Sequence, residues 1–285
     1  MIQFIHMSKK IIVEKYDGTK EQFDPEKLRE SLEEAQTPDD LIDDIIKTII
    51  KDSEEQTTTK AIYTRAFDLL KEKRRSYAAR YSLRQSLADL GPTGYPFEKF
   101  VAHIFEAKGY KTSVGVVMQG SCTSHEIDVV AEKNDTLVLV EAKFHNDRTI
   151  KSALQTALYV RARYDDLKKN NHGSFDDKGK NIEHWLITNT KFSKQAVEYG
   201  ECADLHMVGW GHPHKGNLEE LISDADLQPV TALTTLSGSH KRDLTKQGLV
   251  LCKNIRSEKD KLEGLGFSDS KIREVMDEVN HLCHI

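Results

Sequence analysis

Cysteine is scarce in this sequence and shows no metal-binding spacing. The four cysteines, Cys122, Cys202, Cys252 and Cys283, lie far apart and form no Cys-x-x-Cys pair. This pattern excludes a disulfide framework and a cysteine zinc site, and it is typical of reduced cytosolic thiols. We therefore expect a cytoplasmic protein.

The sequence also lacks any segment that would cross a membrane or direct secretion. No apolar run approaches the roughly 20 residues that a membrane-spanning helix needs. The first residues, Met1 to Met7, lack the basic start and the long apolar core of a signal peptide. We expect no membrane partner.

Positive charge is not in excess, and one common nucleotide-binding motif is missing. Lysine and arginine number 41 against 46 aspartates and glutamates, which gives a formal net charge of -5. This balance excludes a chain coated with basic residues for indiscriminate binding to nucleic acid. The sequence has no G-x-x-x-x-G-K-[ST] phosphate loop, so a P-loop nucleotide site is excluded as well.

A first unit, residues 9–90, is predicted from short strands followed by helices. Apolar residues around Ile12 indicate a strand, which turns at Gly18 and returns as a second strand. Asp24 followed by Pro25 marks the start of a helix, because proline fits the first helical position. Later helices are predicted from Leu41 to Ile50, from a cap at Thr59 to Leu70, and from Tyr77 to Leu90.

Gly91 to Pro96 interrupt the helical pattern and indicate a linker. Beyond it, residues 94–211 alternate apolar strands with helices, which predicts an α/β domain. Residues 212–285 are predicted to be helical. The elements predicted for the α/β domain are a helix from Phe97 to Lys108, strands at Lys111–Val117, Glu126–Ala131 and Thr136–Lys143, a helix from Thr149 to Leu167, and strands at His184–Thr188 and Leu205–Trp210 with a helix between them.

The most informative pattern is a pair of apolar strands on either side of Asn134-Asp135, which predicts a β-hairpin. Asp128 lies on the first strand. Glu141 and Lys143 end the second strand two residues apart, so they share a face. Charges that end so apolar a strand are costly to bury unless they are paired or bound to metal. Two carboxylates beside a lysine suit metal-assisted phosphodiester hydrolysis.

This acid–acid–lysine set resembles that of the PD-(D/E)XK nucleases, especially their Mrr-type restriction and resolvase-like branches. The resemblance implies a restriction-endonuclease-like αβ core with a mixed sheet. It also implies a Mg²⁺ or Mn²⁺ ion held by Asp128, Glu141 and the backbone carbonyl of Ala142. In such nucleases an acidic residue on the preceding helix joins the metal site, and the matching residue here is Glu98.

The helix after the hairpin carries a second motif. Gln155 and Tyr159 are four residues apart, so they share one helix face. They resemble the Gln-x-x-x-Tyr pair of RecB-like nucleases, which implies that they fix the metal-site carboxylate, the lysine or the scissile phosphate. Lys143 would position the attacking water, and no covalent intermediate is expected. His125 and His145 flank the site, and we expect them to contact solvent or substrate.

A third set of residues lies in the first unit. It consists of Val13-Glu14-Lys15-Tyr16-Asp17-Gly18, Glu21, Phe23-Asp24, Lys27-Leu28, Thr59, Ile62-Tyr63 and Ala79-Arg80-Tyr81. These residues resemble an ATP-cone, the regulatory module of ribonucleotide reductases and of their repressor. The resemblance implies that ATP or dATP binds as a regulatory ligand and is not hydrolysed. The nucleotide contacts that it implies are Val13, Lys15, Tyr16, Asp17, Gly18, Glu21, Lys27 and Thr59, with Tyr16 in place of the family's usual arginine.

The sequence therefore predicts a magnesium-dependent DNA endonuclease of the Mrr-like restriction type, regulated by ATP or dATP. The expected partners are double-stranded DNA, modified or branched DNA included, a nucleotide effector and further copies of the chain in a homo-oligomer. Two alternatives stay open: a structure-specific repair nuclease or Holliday-junction resolvase, and a non-catalytic nucleotide-sensing DNA-binding protein. A glycine-containing turn at residues 262–267, ahead of a helix starting at Ser268, weakly resembles a helix-hairpin-helix and would add a DNA contact.

Overall fold

The structure is a computed structural model that describes residues 11–15, 18–170 and 180–283. Contacts within the chain divide it into two compact units, Met1–Ser82 and Leu83–Ile285. Both combine helices with a sheet, so the predicted α/β class is confirmed. Among the described helices, none combines the length and the apolar character that crossing a bilayer requires.

In the first unit, helices pack on a three-stranded sheet. Its order is β2-β1-β3, with β1 antiparallel to β2 and parallel to β3. Leu32, Ile42, Ile45, Ile49 and Leu70 are buried in its core. The elements are β1 (Ile12–Glu14), β2 (Lys20–Gln22), α1 (Pro25–Glu34), α2 (Asp39–Asp52), β3 (Gln56–Thr58), α3 (Thr59–Lys73) and α4 (Arg75–Tyr81).

Side-chain caps mark the starts of helices α1 and α3 in this unit, and one of the two predicted caps is wrong. The Asp24 carboxylate accepts the Glu26 N–H at 3.1 Å, and Pro25 opens α1, as predicted. The predicted cap at Thr59 is wrong, because the Thr58 hydroxyl accepts the Ala61 N–H and Thr59 is already helical. An N-cap residue must keep an extended backbone, and it is Thr58 that does so.

The single helix predicted from Tyr77 to Leu90 is also wrong. The chain forms α4 and then α5 (Leu83–Ala88), and α5 lies in the second unit. At the break, the Ser82 hydroxyl donates to the Ala79 carbonyl at 3.0 Å. Such a local bond competes with regular helical hydrogen bonding, which explains a break that apolar periodicity does not show.

The second unit is built on a mixed five-stranded sheet of order β10-β8-β6-β5-β4. Strands β4, β5 and β6 are antiparallel neighbours, whereas β6, β8 and β10 run parallel. The strands are β4 (Lys111–Gln119), β5 (Ser124–Lys133), β6 (Thr136–Lys143), β7 (Lys151–Ser152), β8 (Asn181–Thr188), β9 (Lys191–Phe192) and β10 (His206–Val208). The further helices are α6 (Tyr95–Ala107), α7 (Leu154–Lys169), α8 (Lys194–Cys202), α9 (Leu218–Asp224), α10 (Gly238–Lys246), α11 (Asp260–Glu263) and α12 (Asp269–Leu282), with 3₁₀ turns at Val230–Ala232 and Cys252–Arg256.

The predicted β-hairpin is confirmed as β5 and β6. Asn134 adopts a left-handed φ of 51° in the two-residue turn, which an asparagine accepts more readily than most residues. Strand β6 is central, and Leu137, Val138, Leu139 and Val140 are all buried. A central strand with a parallel neighbour is covered on both faces, so its sequence is continuously apolar rather than alternating.

The helix predicted from Thr149 begins later, at Leu154. The residues before it, Lys151 and Ser152, pair with Lys191 and Phe192 as the short parallel sheet of β7 and β9. This pairing joins segments far apart in sequence, so the local pattern does not reveal it. It places β7 directly before the start of α7.

The region after residue 211 is largely helical, as predicted, but it does not form a compact unit of its own. Leu218, Ile222 and Leu251 share one apolar core with Phe97 and Phe100 of α6. The predicted helix start at Ser268 is confirmed, because the Ser268 hydroxyl caps α12. In front of this turn, α11 is a single helical turn, Asp260–Glu263.

Candidate functional site

The predicted acid–acid–lysine set lies where the β5–β6 ladder ends. The last paired residues are Val129 and Val140. Beyond them, the Asp128 carboxylate accepts the backbone N–H of Ala142 at 2.7 Å. The Asp128 side chain thus takes the place of the next backbone hydrogen bond between β5 and β6. This contact fixes one carboxylate oxygen of Asp128 against β6, beside Glu141.

Asp128 carries a strongly perturbed carboxyl group. Burial, together with the negative charges of Glu141 and Glu98, raises the pKa of Asp128 to about 7, against the lowering effect of the Ala142 N–H. Desolvation and nearby like charge both disfavour the ionised form. Acidic side chains from α6, β5 and β6 therefore act on one another, and a cation would relieve their repulsion.

Glu98, on helix α6, is electrostatically coupled to these acidic side chains. Burial raises the pKa of Glu98, and the charges of Glu126 and Glu141 add to that rise. Gly94 stands close to this carboxylate, since a Cβ atom at Gly94 would lie 3.3 Å from Glu98 Oε1. A larger residue at this position would crowd the carboxylate.

Lys143 ends β6 with an exposed side chain, opposite Thr188 of the parallel strand β8. Burial lowers the pKa of His145, and the positive charge of Lys143 lowers it further. The exposed amine of Lys143 can meet a bound phosphate or water. The backbone thus places Asp128, Glu141 and Lys143 at the same end of the hairpin.

Helix α7 presents Gln155 and Tyr159 as exposed side chains on one face. The structure adds Arg163, one turn further along, which the sequence analysis missed. Its Nη1 donates to Glu141 Oε2 at 2.6 Å and to the Glu126 carbonyl at 2.9 Å, and its Nη2 donates to the Tyr159 hydroxyl at 2.8 Å. The four-residue spacing from Gln155 through Tyr159 to Arg163 was the available signal.

The expectation that the two flanking histidines contact solvent or substrate is corrected in part. His125 Nε2 lies 2.8 Å from a carboxylate oxygen of Asp166 on α7, and both side chains are largely buried. His145 Nε2 lies 3.0 Å from the Ser152 hydroxyl, and the His145 N–H donates to the Asn189 side chain. His125 therefore ties strand β5 to helix α7, and His145 ties the loop after β6 to β7.

The donor chemistry of the site fits a hard divalent cation. Asp128, Glu141, Glu98 and the Ala142 carbonyl offer oxygen ligands only. Within the described part of the chain, no group of three or more histidine, cysteine, aspartate or glutamate side chains is gathered closely enough to hold a metal alone. Mg²⁺ commonly takes one or two carboxylates and completes its shell with water and substrate phosphate, so two carboxylates and a carbonyl suffice.

The first unit contains the residues predicted to meet a nucleotide. Lys15 and Lys27 both reach Glu21, at 2.6 Å and 3.2 Å, so two cations share one carboxylate. These two contacts lower the pKa of Glu21, that with Lys15 more strongly. Gly18 turns with a left-handed φ of 80°.

Four further residues complete the predicted nucleotide set. Val13 is buried in β1, and Thr59 is the first helical residue of α3. Tyr16 and Asp17 lie outside the described residues. The structure thus places Val13 in the strand that leads to Lys15, and leaves Thr59 at a helix start.

Comparisons with known proteins agree with this architecture. Three family models match the chain: the ATP cone domain at residues 11–90, a restriction endonuclease model at residues 92–208, and the C-terminal domain of AF1548-like proteins at residues 229–283. The chain is similar to an uncharacterized protein of Archaeoglobus fulgidus, with 36% identity over 179 residues. That match covers 62% of this chain and 97% of the relative.

Solved structures give two further similarities. One is the crystal structure of AF1548, a protein of unknown function, with 34% identity and a TM-score of 0.55, covering 67% of this chain and 99% of that chain. The other is the MspJI restriction endonuclease in complex with a 27-mer oligonucleotide. It has 18% identity and a TM-score of 0.30, covering 58% of this chain and 39% of that chain.

Proposed function

Because this chain belongs to the family of the Archaeoglobus fulgidus protein and carries an ATP cone domain and a restriction endonuclease domain, we propose that it is a metal-dependent DNA endonuclease regulated by ATP or dATP. The nuclease class rests on the restriction endonuclease domain. Dependence on magnesium, Mrr-like restriction and nucleotide control are the finer parts of the proposal.

One observation supports it most strongly: Asp128 and Glu141 lie side by side at the open end of the β5–β6 ladder, with Asp128 bound to the Ala142 N–H and Lys143 two residues beyond Glu141 on β6. Arg163 pairs with Glu141, whereas Asp128 has no basic partner among the described residues. Here burial and neighbouring acids raise the pKa of Asp128 to about 7. A strongly perturbed carboxyl group of this kind is typical of a functional site.

The residues divide the chemistry among them. Asp128, Glu141, the Ala142 carbonyl and Glu98 would hold Mg²⁺ or Mn²⁺. When bound, such a cation supplies Lewis-acid activation of water and neutralises charge on the phosphate. Lys143 orients the attacking water and stabilises negative charge that develops on the phosphate. No side chain forms a covalent bond to the substrate.

The proposed substrate is double-stranded DNA, since restriction endonucleases cleave DNA. Two active sites, one for each strand, would cut both strands of a duplex in one binding event, so the proposal includes a homo-oligomer. The proposed cytoplasmic location agrees with the four cysteines being free thiols.

A cleavage assay on supercoiled plasmid tests the proposal. Wild-type protein is incubated with Mg²⁺, Mn²⁺ or EDTA, each alone and with ATP or dATP, and Asp128→Ala serves as the inactive control. Cleavage that needs the cation and changes with nucleotide is expected. Cleavage of methylated plasmid or of four-way junctions alone would favour modification-dependent or resolvase activity. If the protein bound all these DNAs and cleaved none, the result would contradict the nuclease proposal and favour a non-catalytic nucleotide-sensing DNA-binding protein.

Replacing Gln155 by alanine should lower the cleavage rate about 100-fold and leave DNA affinity nearly unchanged. Gln155 is exposed on α7, and we assign it the positioning of reacting groups, whose small displacement costs about that factor. Single-turnover cleavage and fluorescence anisotropy with labelled duplex measure the two quantities. Leu158→Ala, an exposed neighbour on the same helix, is the matched control. A loss of affinity with an unchanged rate would assign Gln155 to substrate binding instead.

Replacing Lys15 by alanine should weaken the binding of ATP or dATP about tenfold or more. The proposal places Lys15 and Lys27 on nucleotide phosphates, which would replace Glu21 as their partner. Charge-assisted hydrogen bonds of this type contribute about 1.5–3 kcal/mol. Titration calorimetry measures the affinity, with the exposed Lys51→Ala as the control. Equal affinities for wild type and Lys15→Ala would reject this contact.

A further inference from the structure

Arg163 connects three parts of the candidate site through one guanidinium group. Nη1 donates to Glu141 Oε2 on β6 and to the Glu126 carbonyl on β5, and Nη2 donates to the Tyr159 hydroxyl on its own helix. The guanidinium also lies over the Tyr159 ring, at 4.6 Å from its centroid. The Arg163 side chain is only 12% exposed and that of Glu141 17%, so the contact between them is largely shielded from water, whereas Tyr159 is exposed.

The way Arg163 holds Glu141 differs from a purely structural ion pair. An arginine that serves only to neutralise a carboxylate often takes both oxygens with two parallel bonds. Here one nitrogen takes Oε2 and the other turns to Tyr159. Glu141 Oε1 has no hydrogen-bond partner in the part of the chain that the structure describes.

Asp128 is held in the same manner. Its Oδ2 accepts the Ala142 N–H, and its Oδ1 makes no hydrogen bond to any described residue. Each of the two central carboxylates is therefore fixed by one oxygen and offers the other. This is the arrangement that a cation needs if its ligands are to be oriented before it binds.

We propose that Arg163 is a positioning residue of the cleavage site, which fixes Glu141 by Oε2 so that Oε1 is presented to a divalent cation. The inference rests on the proposed metal-dependent nuclease function. In this role Arg163 touches neither the cation nor the DNA. It also aligns Tyr159, because the same planar group binds the Glu141 carboxylate and the Tyr159 hydroxyl.

The alternative role is stability alone, and the chain contains a matched arginine for comparison. Arg161 lies on the same helix, and it bonds Asp165 at 3.1 Å and the Ala203 carbonyl at 2.7 Å. Neither Asp165 nor Ala203 is one of the proposed metal ligands. Arg161 thus has comparable chemistry without contact with Asp128, Glu141 or Tyr159 in the described structure.

The decisive variant is Arg163→Lys, which keeps the positive charge and loses the planar fork. One ammonium group cannot hold Glu141, the Glu126 carbonyl and Tyr159 in the same plane. We expect the affinity for Mn²⁺, measured by calorimetry without DNA, to fall about tenfold. At saturating Mn²⁺ and DNA, the single-turnover cleavage rate should fall about 100-fold. Arg161→Lys should leave both quantities unchanged.

Arg163→Gln is the second variant, and thermal melting reports whether each variant is folded. If Arg163→Lys or Arg163→Gln melts at a lower temperature but binds Mn²⁺ as wild type does, the role is structural and the proposal is wrong. Tighter Mn²⁺ binding in Arg163→Lys would also overturn it, because the arginine would then compete with the cation.

The two proposals fail in different ways. Wild-type protein that cleaves DNA while the Arg163 variants cleave equally well contradicts only the role of Arg163. Wild-type protein that binds Mn²⁺ without cleaving contradicts the nuclease function, and the Mn²⁺ affinities of the variants still decide the positioning role. Wild-type protein that neither binds Mn²⁺ nor cleaves contradicts both.

Discussion

Replacing Asp128 by asparagine is expected to abolish cleavage and, at pH 8 in EDTA, to raise the melting temperature of the protein. When no cation is bound, the charged Asp128 carboxylate destabilises the folded protein, because it is largely buried near other acids. Burial and the charge of Glu141 raise the pKa of Asp128 to about 7, from an ordinary value of 3.8. Asparagine keeps the acceptor for the Ala142 N–H and removes the charge.

The sign of the pH dependence follows from this raised pKa. Below about pH 3.8 Asp128 is protonated in both the folded and the unfolded chain, so it costs nothing. Between pH 3.8 and about 7 the unfolded chain releases the proton first, and the free energy of unfolding falls by at most about 4 kcal/mol. Above pH 7 that loss is complete. The asparagine variant lacks this dependence, so its advantage should grow from pH 5 to pH 8.

Melting curves at pH 5, 6, 7 and 8, in EDTA and in Mg²⁺, measure this effect. Mg²⁺ should raise the melting temperature of the wild type and leave Asp128→Asn unaffected, because a ligand stabilises only the form that binds it. Asp135→Asn, in the exposed turn of the same hairpin, is the matched control for loss of a carboxylate. Wild-type cleavage by Asp128→Asn would remove Asp128 from the site. If the melting temperatures of wild type and Asp128→Asn changed with pH in the same way, the raised pKa of Asp128 would be refuted.

Replacing Lys143 by alanine should lower the cleavage rate by about 10³-fold without weakening the binding of Mn²⁺. Lys143 is exposed at the end of β6, two residues beyond Glu141, and its ammonium group cannot be a ligand of a cation. Its ammonium group acts on charge that develops during the reaction, and one such donor contributes a factor of about 10²–10³. The result would separate the lysine's role from those of Asp128 and Glu141.

Single-turnover cleavage and Mn²⁺ calorimetry on the same preparation give both quantities. Lys194→Ala removes a fully exposed lysine at the start of α8 and should change neither. If Lys143→Ala cleaved at the wild-type rate, another positively charged side chain would have to orient the attacking water. Arg163 could not do so while it is bound to Glu141.

Local chemistry made much of this fold predictable from sequence. Asp24 and Pro25 fix a helix start within a few residues, and Asn134-Asp135 closes a two-residue turn between apolar strands. Such signals need no knowledge of distant residues. The same locality makes the relation between Asp128 and Glu141 predictable, since a hairpin sets which residues face each other.

Features that depend on distant partners were not predictable in this way. Strand β3 is polar and short, and it is a strand only because it pairs with β1. Arg163 looks like one of several charged residues on α7 until the sheet brings Glu141 to it. The contact of His125 with Asp166 likewise joins the start of strand β5 to helix α7. In each case tertiary packing decides what the local pattern leaves open.

The β5–β6 hairpin has a consequence for how the protein folds. Asp128, Glu141, Ala142 and Lys143 belong to two strands joined by a two-residue turn, so their contacts are among the most local in the sheet. Local contacts form early because little chain entropy is lost, whereas the parallel pairing of β6 with β8 must close a long loop. We expect the hairpin to be protected from hydrogen exchange before the β6–β8 pair during refolding.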